Sequence, residues 1–186
     1  VYNDFVELPS QLLEKWETET EWLQKFAFHY KTNEPIPEDL IKKVIESRNF
    51  QAGFHCERQL SFGMLDMAWH QIDTPIKDDI VAFEQEATKT TTHLPIHSGS
   101  SISTSFSHIF AGGYAVGYYG YKWAEVLDAD AFSIFRENGI FNAEVAAKFR
   151  TEILEKGGSD HPLKLYINFR GKEPTIDALL LRSGLK

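Results

Sequence analysis

The chain is short of the residues that staple, charge or anchor a protein. Among its 186 residues there is one cysteine, Cys56. A lone thiol excludes an internal disulfide and fits a reducing compartment, so the expected location is cytoplasmic. Lysine and arginine number 19 against 27 acidic residues, a net charge of -8. A nucleic-acid binder needs a basic face, and this balance argues against one. No run of about eighteen apolar residues occurs, so no segment reads as a membrane-spanning helix. A His-Glu-x-x-His pair, a serine nucleophile elbow and a phosphate loop are also missing from these residues. By spacing alone, then, the chain does not contain a complete metal site. No signal peptide is recognisable. The sequence starts at Val1 and enters structured sequence at once, which predicts a piece of something longer, with any targeting segment upstream.

What is present is concentrated in one place. Of 12 glycines, four fall within residues 106–121, FSHIFAGGYAVGYYGY, together with His108 and four tyrosines. No ordinary core helix is written this way. Gly112-Gly113 breaks regular structure and lets backbone approach closely. Tyr114, Tyr118 and Tyr121 follow at i, i+4 and i+7, so a helix there would set three phenols on one face. Tyrosines at helical spacing are usually amphipathic core residues with a satisfied hydroxyl. A glycine hinge followed by phenols also matches the wall of a polar cleft. Phenols donate hydrogen bonds without carrying charge, which suits an oxygen that becomes negative during a reaction.

With 42 % hydrophobic residues the chain is globular, and its periodicity is helical nearly throughout, so the class is mainly α. Asp4 and Glu7 have the form of a capping box that opens a helix near residue 4, with Pro9 bending its second turn. A break falls near residues 19–21, and residues 31–35 close the section as a turn. Pro37 suits the first position of the next helix. A longer helix starts at Asn49 with Phe50, Phe54, Leu60, Phe62, Met64, Leu65 and Met67 as core candidates, ending before Thr74-Pro75. Another runs over about 78–89. Residues 90–105 are rich in Ser and Thr, with short strand pieces expected at 94–96 and 102–104; a connection this long is more often functional than idle. Helices follow to about Glu137, from Val145 to Gly157-Gly158, over 162–170 and from Pro174 to near Gly184.

Seven histidines invite a metal search. His93 and His97 have helical ligand spacing, but Pro95 between them breaks the helix that the pair would need. His29, His55, His70 and His161 stand isolated. Cys56 reads as a core thiol, and Glu7 taken alone reads as a cap.

The segments DFVELPSQLLEKW (4–16) and FSHIFAGGYAVGYYGYKWAEV (106–126) resemble the zinc oligopeptidases of the thimet oligopeptidase and oligopeptidase A family, which includes neurolysin and bacterial dipeptidyl carboxypeptidase. FHCERQLSFGMLDMAWH, DADAF, ENGIFN and the tail from Gly157 extend the resemblance to the whole chain, as the family's carboxy-terminal portion. The resemblance implies a multi-helix, zincin-type fragment of a catalytic domain and one zinc ion. Glu7 matches the family's third zinc ligand. The two histidine ligands and the catalytic glutamate would lie about twenty residues before Val1. His108, Tyr114, Tyr118 and Tyr121 match the loop that contacts bound peptide, with Gly112, Gly113, Gly117 and Gly120 giving it mobility. Short peptides are the implied substrates, and the absent amino-terminal part of the same protein is the implied partner. Without that part the chain should bind zinc weakly and hydrolyse nothing. Release of carboxy-terminal dipeptides, and peptide holding without catalysis, stay open as alternatives.

Overall fold

The computed structural model describes residues 1–77, 79–97 and 99–186. Ten α-helices are described: α1 Leu8–Leu13, α2 Thr20–Phe26, α3 Glu38–Ser47, α4 Ala52–Gln71, α5 Ile80–Thr88, α6 Ser107–Phe110, α7 Gly120–Asn138, α8 Ala143–Phe149, α9 Pro162–Arg170 and α10 Asp177–Arg182. A 3₁₀ turn, Glu14–Thr18, follows α1, and a π-helical turn, Arg150–Leu154, extends α8. The β-pairing among the described residues is a single antiparallel bridge, Phe28 with Pro35. The mainly α expectation therefore holds. Residues 94–96 and 102–104 are not strands; in the second segment the Ile102 and Ser103 N–H groups go to the Glu84 carboxylate instead of to a neighbouring strand.

The chain divides into two units: Val1–Phe50 with Ala124–Lys186, and Gln51–Trp123. In the first, α1 supplies Leu8 and Leu12, and the residues before it Phe5, to a core shared with Leu127, Phe132 and Phe135 of α7, Phe149 of α8 and Leu165, Tyr166 and Phe169 of α9. Leu8 and Leu12 are fully buried, and burial of each contributes roughly 1.5–3 kcal/mol. Trp16 sets its edge against Phe132 and Phe135, with ring centroids 4.8 and 4.9 Å away, and its indole N–H donates to the Ile140 carbonyl at 3.0 Å. Two aspartates of α7 are buried and paired. Asp128 meets Lys15 and Arg182, and Asp130 accepts from the Tyr166 hydroxyl at 2.7 Å.

The second unit is built on α4. Leu65, Phe106 and Ile109 form its core, with Phe62, Trp69, Phe83, Ala87 and Tyr118 packed against them. Of the core residues expected on the longer helix, only Leu65 is buried. Phe54, Leu60, Met64 and Met67 are exposed, because α4 is apolar on two faces and only one packs within this unit. Phe50, in the first unit, is exposed as well.

Several helix starts differ from expectation. The longer helix begins at Ala52, not at Asn49, because Gln51 before it sits at φ of +54°, which a helix cannot include. The first helix begins at Leu8, not at Asp4, and its N-cap Glu7 makes no side-chain cap bond. Pro9 then falls in the first turn, where its missing N–H costs nothing, so no bend is needed. The last helix begins at Asp177, beyond Pro174. The expected start at Asp78 lies outside the described residues; Asp79 caps α5, its carboxylate accepting from the Val81 N–H at 2.9 Å.

Candidate functional site

The glycine-tyrosine stretch belongs to the second unit, and it is not one helix. After α6, the N–H groups of Ala111 and Gly112 both donate to the Ser107 carbonyl at 2.7 Å. This curl draws Gly112 so close to His108 that a Cβ would stand 2.7 Å from the His108 Cα, so only glycine fits. Gly113 has φ of +84°, in the left-handed region. Tyr114 N–H then donates back to the His108 carbonyl at 3.0 Å. Residues 115–119 continue as turns, with Gly117 N–H on the Tyr114 carbonyl at 2.8 Å and Val116 at φ of +57°. α7 begins only at Gly120. The helix expected through Tyr114, Tyr118 and Tyr121 is therefore replaced by turns, because Gly-Gly and the left-handed Val116 cannot propagate it.

The turns gather the same rings. Tyr114 stacks on Tyr121 with centroids 5.1 Å apart, and Tyr118 lies 5.0 Å from Tyr121. The His108 ring is 6.0 Å from Tyr114 and 6.2 Å from Tyr118. All four expected side chains of the stretch thus share one cluster. His108 is exposed, whereas Tyr114, Tyr118 and Tyr121 are half-buried. Burial, and then the neighbouring Tyr121, push the Tyr118 phenol above its ordinary value, against the pull of the Arg58 cation. Tyr118 therefore stays protonated at neutral pH and can donate. Of the four glycines, Gly112 and Gly113 are exposed, while Gly117 and Gly120 are buried and form part of the packing.

Two acids missed in the sequence hold this region. Asp66, 1 % exposed on α4, accepts the Val116 and Tyr118 N–H groups at 2.9 Å each, and His70 Nδ1 lies 2.9 Å from it. Glu84 of α5 accepts the Ser101 hydroxyl at 2.6 Å and the N–H groups of Ile102 and Ser103 at 3.1 and 2.7 Å. Asp66 stands between Leu65 and Met67 in sequence, and an acid at such a position was the available signal; Glu84, followed by Gln85 and Glu86, carried none. Between α4 and residues 91–96 and 100–106 lies a cavity of about 680 Å³, lined in part by Arg58, Phe62, His93, Ser101, Phe106 and Tyr118. That is the size of a ligand pocket. His93, set aside as a metal ligand, has its Nε2 3.0 Å from Glu57 Oε1.

Glu7 belongs to the first unit, at the amino end of α1, and is half-buried. The Ser10 hydroxyl lies 3.0 Å from its Oε2 and 3.1 Å from its carbonyl oxygen. No group of three or more His, Cys, Asp and Glu side chains that could hold a metal ion occurs among the described residues. A closed or catalytic zinc site takes three or four protein ligands, so these residues alone do not fit zinc. Nor is any helix of the described residues long and apolar enough to cross a membrane.

The family model for peptidase family M3 matches residues 1–185. Oligopeptidase A of Escherichia coli (strain K12) is 46% identical over 184 residues, covering 98% of this chain and 27% of that protein. The organellar oligopeptidase A, chloroplastic/mitochondrial, of Arabidopsis thaliana is 43% identical over 187 residues, covering 98% of this chain and 24% of the relative. Dipeptidyl carboxypeptidase of Escherichia coli (strain K12) is 36% identical over 184 residues, covering 98% and 27%. The chain thus spans about a quarter of the length of these relatives. With the family model matching residues 1–185 of 186, the chain belongs to peptidase family M3.

Proposed function

We propose that the chain is the carboxy-terminal part of a zinc-dependent oligopeptidase that hydrolyses short peptides, and that it is inactive by itself. The observation that carries the reading is the gathering of His108, Tyr114, Tyr118 and Tyr121 into one ring cluster beside a ligand-sized cavity. Glu7 would contribute one carboxylate ligand to the ion, and further ligands and a proton-accepting glutamate would have to come from outside these 186 residues. When bound, the ion supplies Lewis acidity at the scissile carbonyl.

This chain's own share is substrate binding and charge stabilisation. Tyr118 and Tyr121, with His108, donate to the scissile carbonyl oxygen or to neighbouring peptide backbone, and Tyr114 supports them by stacking on Tyr121. A neutral donor suits this role, because it meets the growing negative charge on oxygen without attracting a counter-ion beforehand. Gly112 and Gly113 let the segment approach a peptide backbone closely. The cavity beside Tyr118 accommodates a substrate side chain, with Phe62 and Phe106 as apolar walls. Cytoplasmic location is part of the proposal.

In the intact enzyme, Tyr118→Phe and Tyr121→Phe should each lower kcat by about a hundredfold while moving KM much less, as expected for a donor used mainly in the transition state. Near-normal kcat in both variants would remove the phenols from the mechanism. Endopeptidase action is favoured over release of carboxy-terminal dipeptides, because the oligopeptidase A relatives are 43–46% identical and the dipeptidyl carboxypeptidases 36–37%. A peptide amidated at its carboxy terminus should still be cut; its resistance would reverse the choice. A binding module without catalysis would hold peptide and cut neither substrate.

A further inference from the structure

We propose that Asp66 is the positioning residue for Tyr118, acting through the backbone of the turn that carries the phenol; this rests on the reading of Tyr118 as a carbonyl donor. Tyr118 precedes the first residue of α7, so no helix fixes it. Its place is set by α4 instead. One Asp66 oxygen accepts the Val116 N–H at 2.9 Å and the other accepts the Tyr118 N–H at 2.9 Å. A carboxylate that receives two N–H groups on its two oxygens sets the orientation of the turn as well as its distance.

The same turn is strained. Val116 is β-branched and sits at φ of +57°, a conformation that L side chains with a branched Cβ disfavour. Such strain persists only where surrounding bonds over-determine it, and hydrogen bonds to a charged acceptor are stronger than those between neutral groups. Asp66 is therefore the group that offsets the strain. The Tyr118 ring is also held by α4: it lies 5.5 Å from Phe62, one turn before Asp66, and 5.1 Å from Phe106. Backbone and ring are thus both referenced to one rigid helix.

His70, one turn further along α4, completes the arrangement. Its Nδ1 lies 2.9 Å from Asp66 Oδ1 and 2.8 Å from the Asp66 carbonyl oxygen. Both neighbours are acceptors, so Nδ1 carries a proton and donates. The ring thereby orients the carboxylate that orients the turn.

The test is a double-mutant cycle in the intact enzyme. Asp66→Asn presents an amide NH₂ to one of the two loop donors. It should lower kcat by about tenfold, since small misplacement of a catalytic group is costly, with KM changed less than about twofold. Because Asp66 acts only through Tyr118, adding Asp66→Asn to Tyr118→Phe should reduce kcat no further. Val116→Gly removes the Cβ strain and should restore part of the kcat lost in Asp66→Asn. If the Asp66→Asn loss multiplies onto that of Tyr118→Phe, the residue is merely structural and the proposal is overturned. If Tyr118→Phe alone has normal kcat, the reading of Tyr118 fails, and that outcome is distinct from a multiplicative cycle. Should Asp66→Asn not fold, His70→Ala serves in the same cycle: a smaller kcat loss that vanishes in the Tyr118→Phe background supports the chain of contacts, and an undiminished loss overturns it.

Discussion

Glu84 is a carboxylate whose charged form burial opposes. It is 8 % exposed, and burial is the largest single influence on it, pushing its carboxyl upward. Hydrogen bonds from Ser101, Ser103 and Ile102 together outweigh burial and hold it below its ordinary value of 4.5. The sign for stability follows. A folded value below the unfolded one stabilises fully above pH 4.5 and loses that contribution as pH falls through the folded value. Glu84→Gln should therefore destabilise at pH 7, by about 1–3 kcal/mol for a buried site left with poorer partners. The difference from the parent protein should shrink in acid. Denaturant titrations of both proteins at neutral pH and in acid below the ordinary carboxyl value of 4.5 check this; a difference independent of pH would show that the charge plays no part.

At the scale of elements, the helices are positioned by what stops and starts them. Gly112 permits the curl onto His108, and Gly139, at φ of +98°, ends the run of α7. Asn142 then starts α8: its side-chain oxygen accepts the Glu144 and Val145 N–H groups at 2.9 and 3.1 Å. Both donors would otherwise be orphans of the first turn. Asn142→Ala should cost about 1 kcal/mol of stability by removing this cap, measured by urea denaturation. No change in the midpoint would mean that water replaces the cap at no cost. The capping box expected at Asp4 and Glu7 illustrates the converse. Its spacing is correct, but Pro9 fits the first turn of a helix better than the second, and the helix starts accordingly at Leu8.

For the whole molecule, the two faces of α4 matter most. One buries Leu65 and Asp66 within the second unit. Leu60, Met64 and Met67, at i, i+4 and i+7, stay exposed, as does Phe54. An apolar stripe of this kind in water favours association. The isolated 186-residue chain should therefore scatter as more than its 21.3 kDa at micromolar concentration, and Leu60→Lys with Met64→Lys should reduce that mass. Monomeric scattering by the parent chain would show that the stripe is tolerated in water.

The mainly α class, both ends of α9, the end of α7 and the phenol-histidine set are legible in the sequence because they depend on local chemistry. Periodicity marks helices, Asn-Gly and Gly-Gly mark their ends, and α9 lies where proline and the following glycine predict it. The clustering of His108 with Tyr114, Tyr118 and Tyr121 is legible too, although turns rather than a helix produce it. Which face of α4 is buried is not legible, because both faces are apolar and only the packing partners distinguish them. Asp66 and Glu84 escape notice for a related reason: an acid reveals its role only when the chain returns, 50 and 17 residues later, with donors to meet it. The sequence alone determined which groups are available for chemistry, since residue type fixes what can donate, accept or bend. Only the tertiary structure decided how those groups are held, since contacts across long chain separations depend on where the backbone comes back.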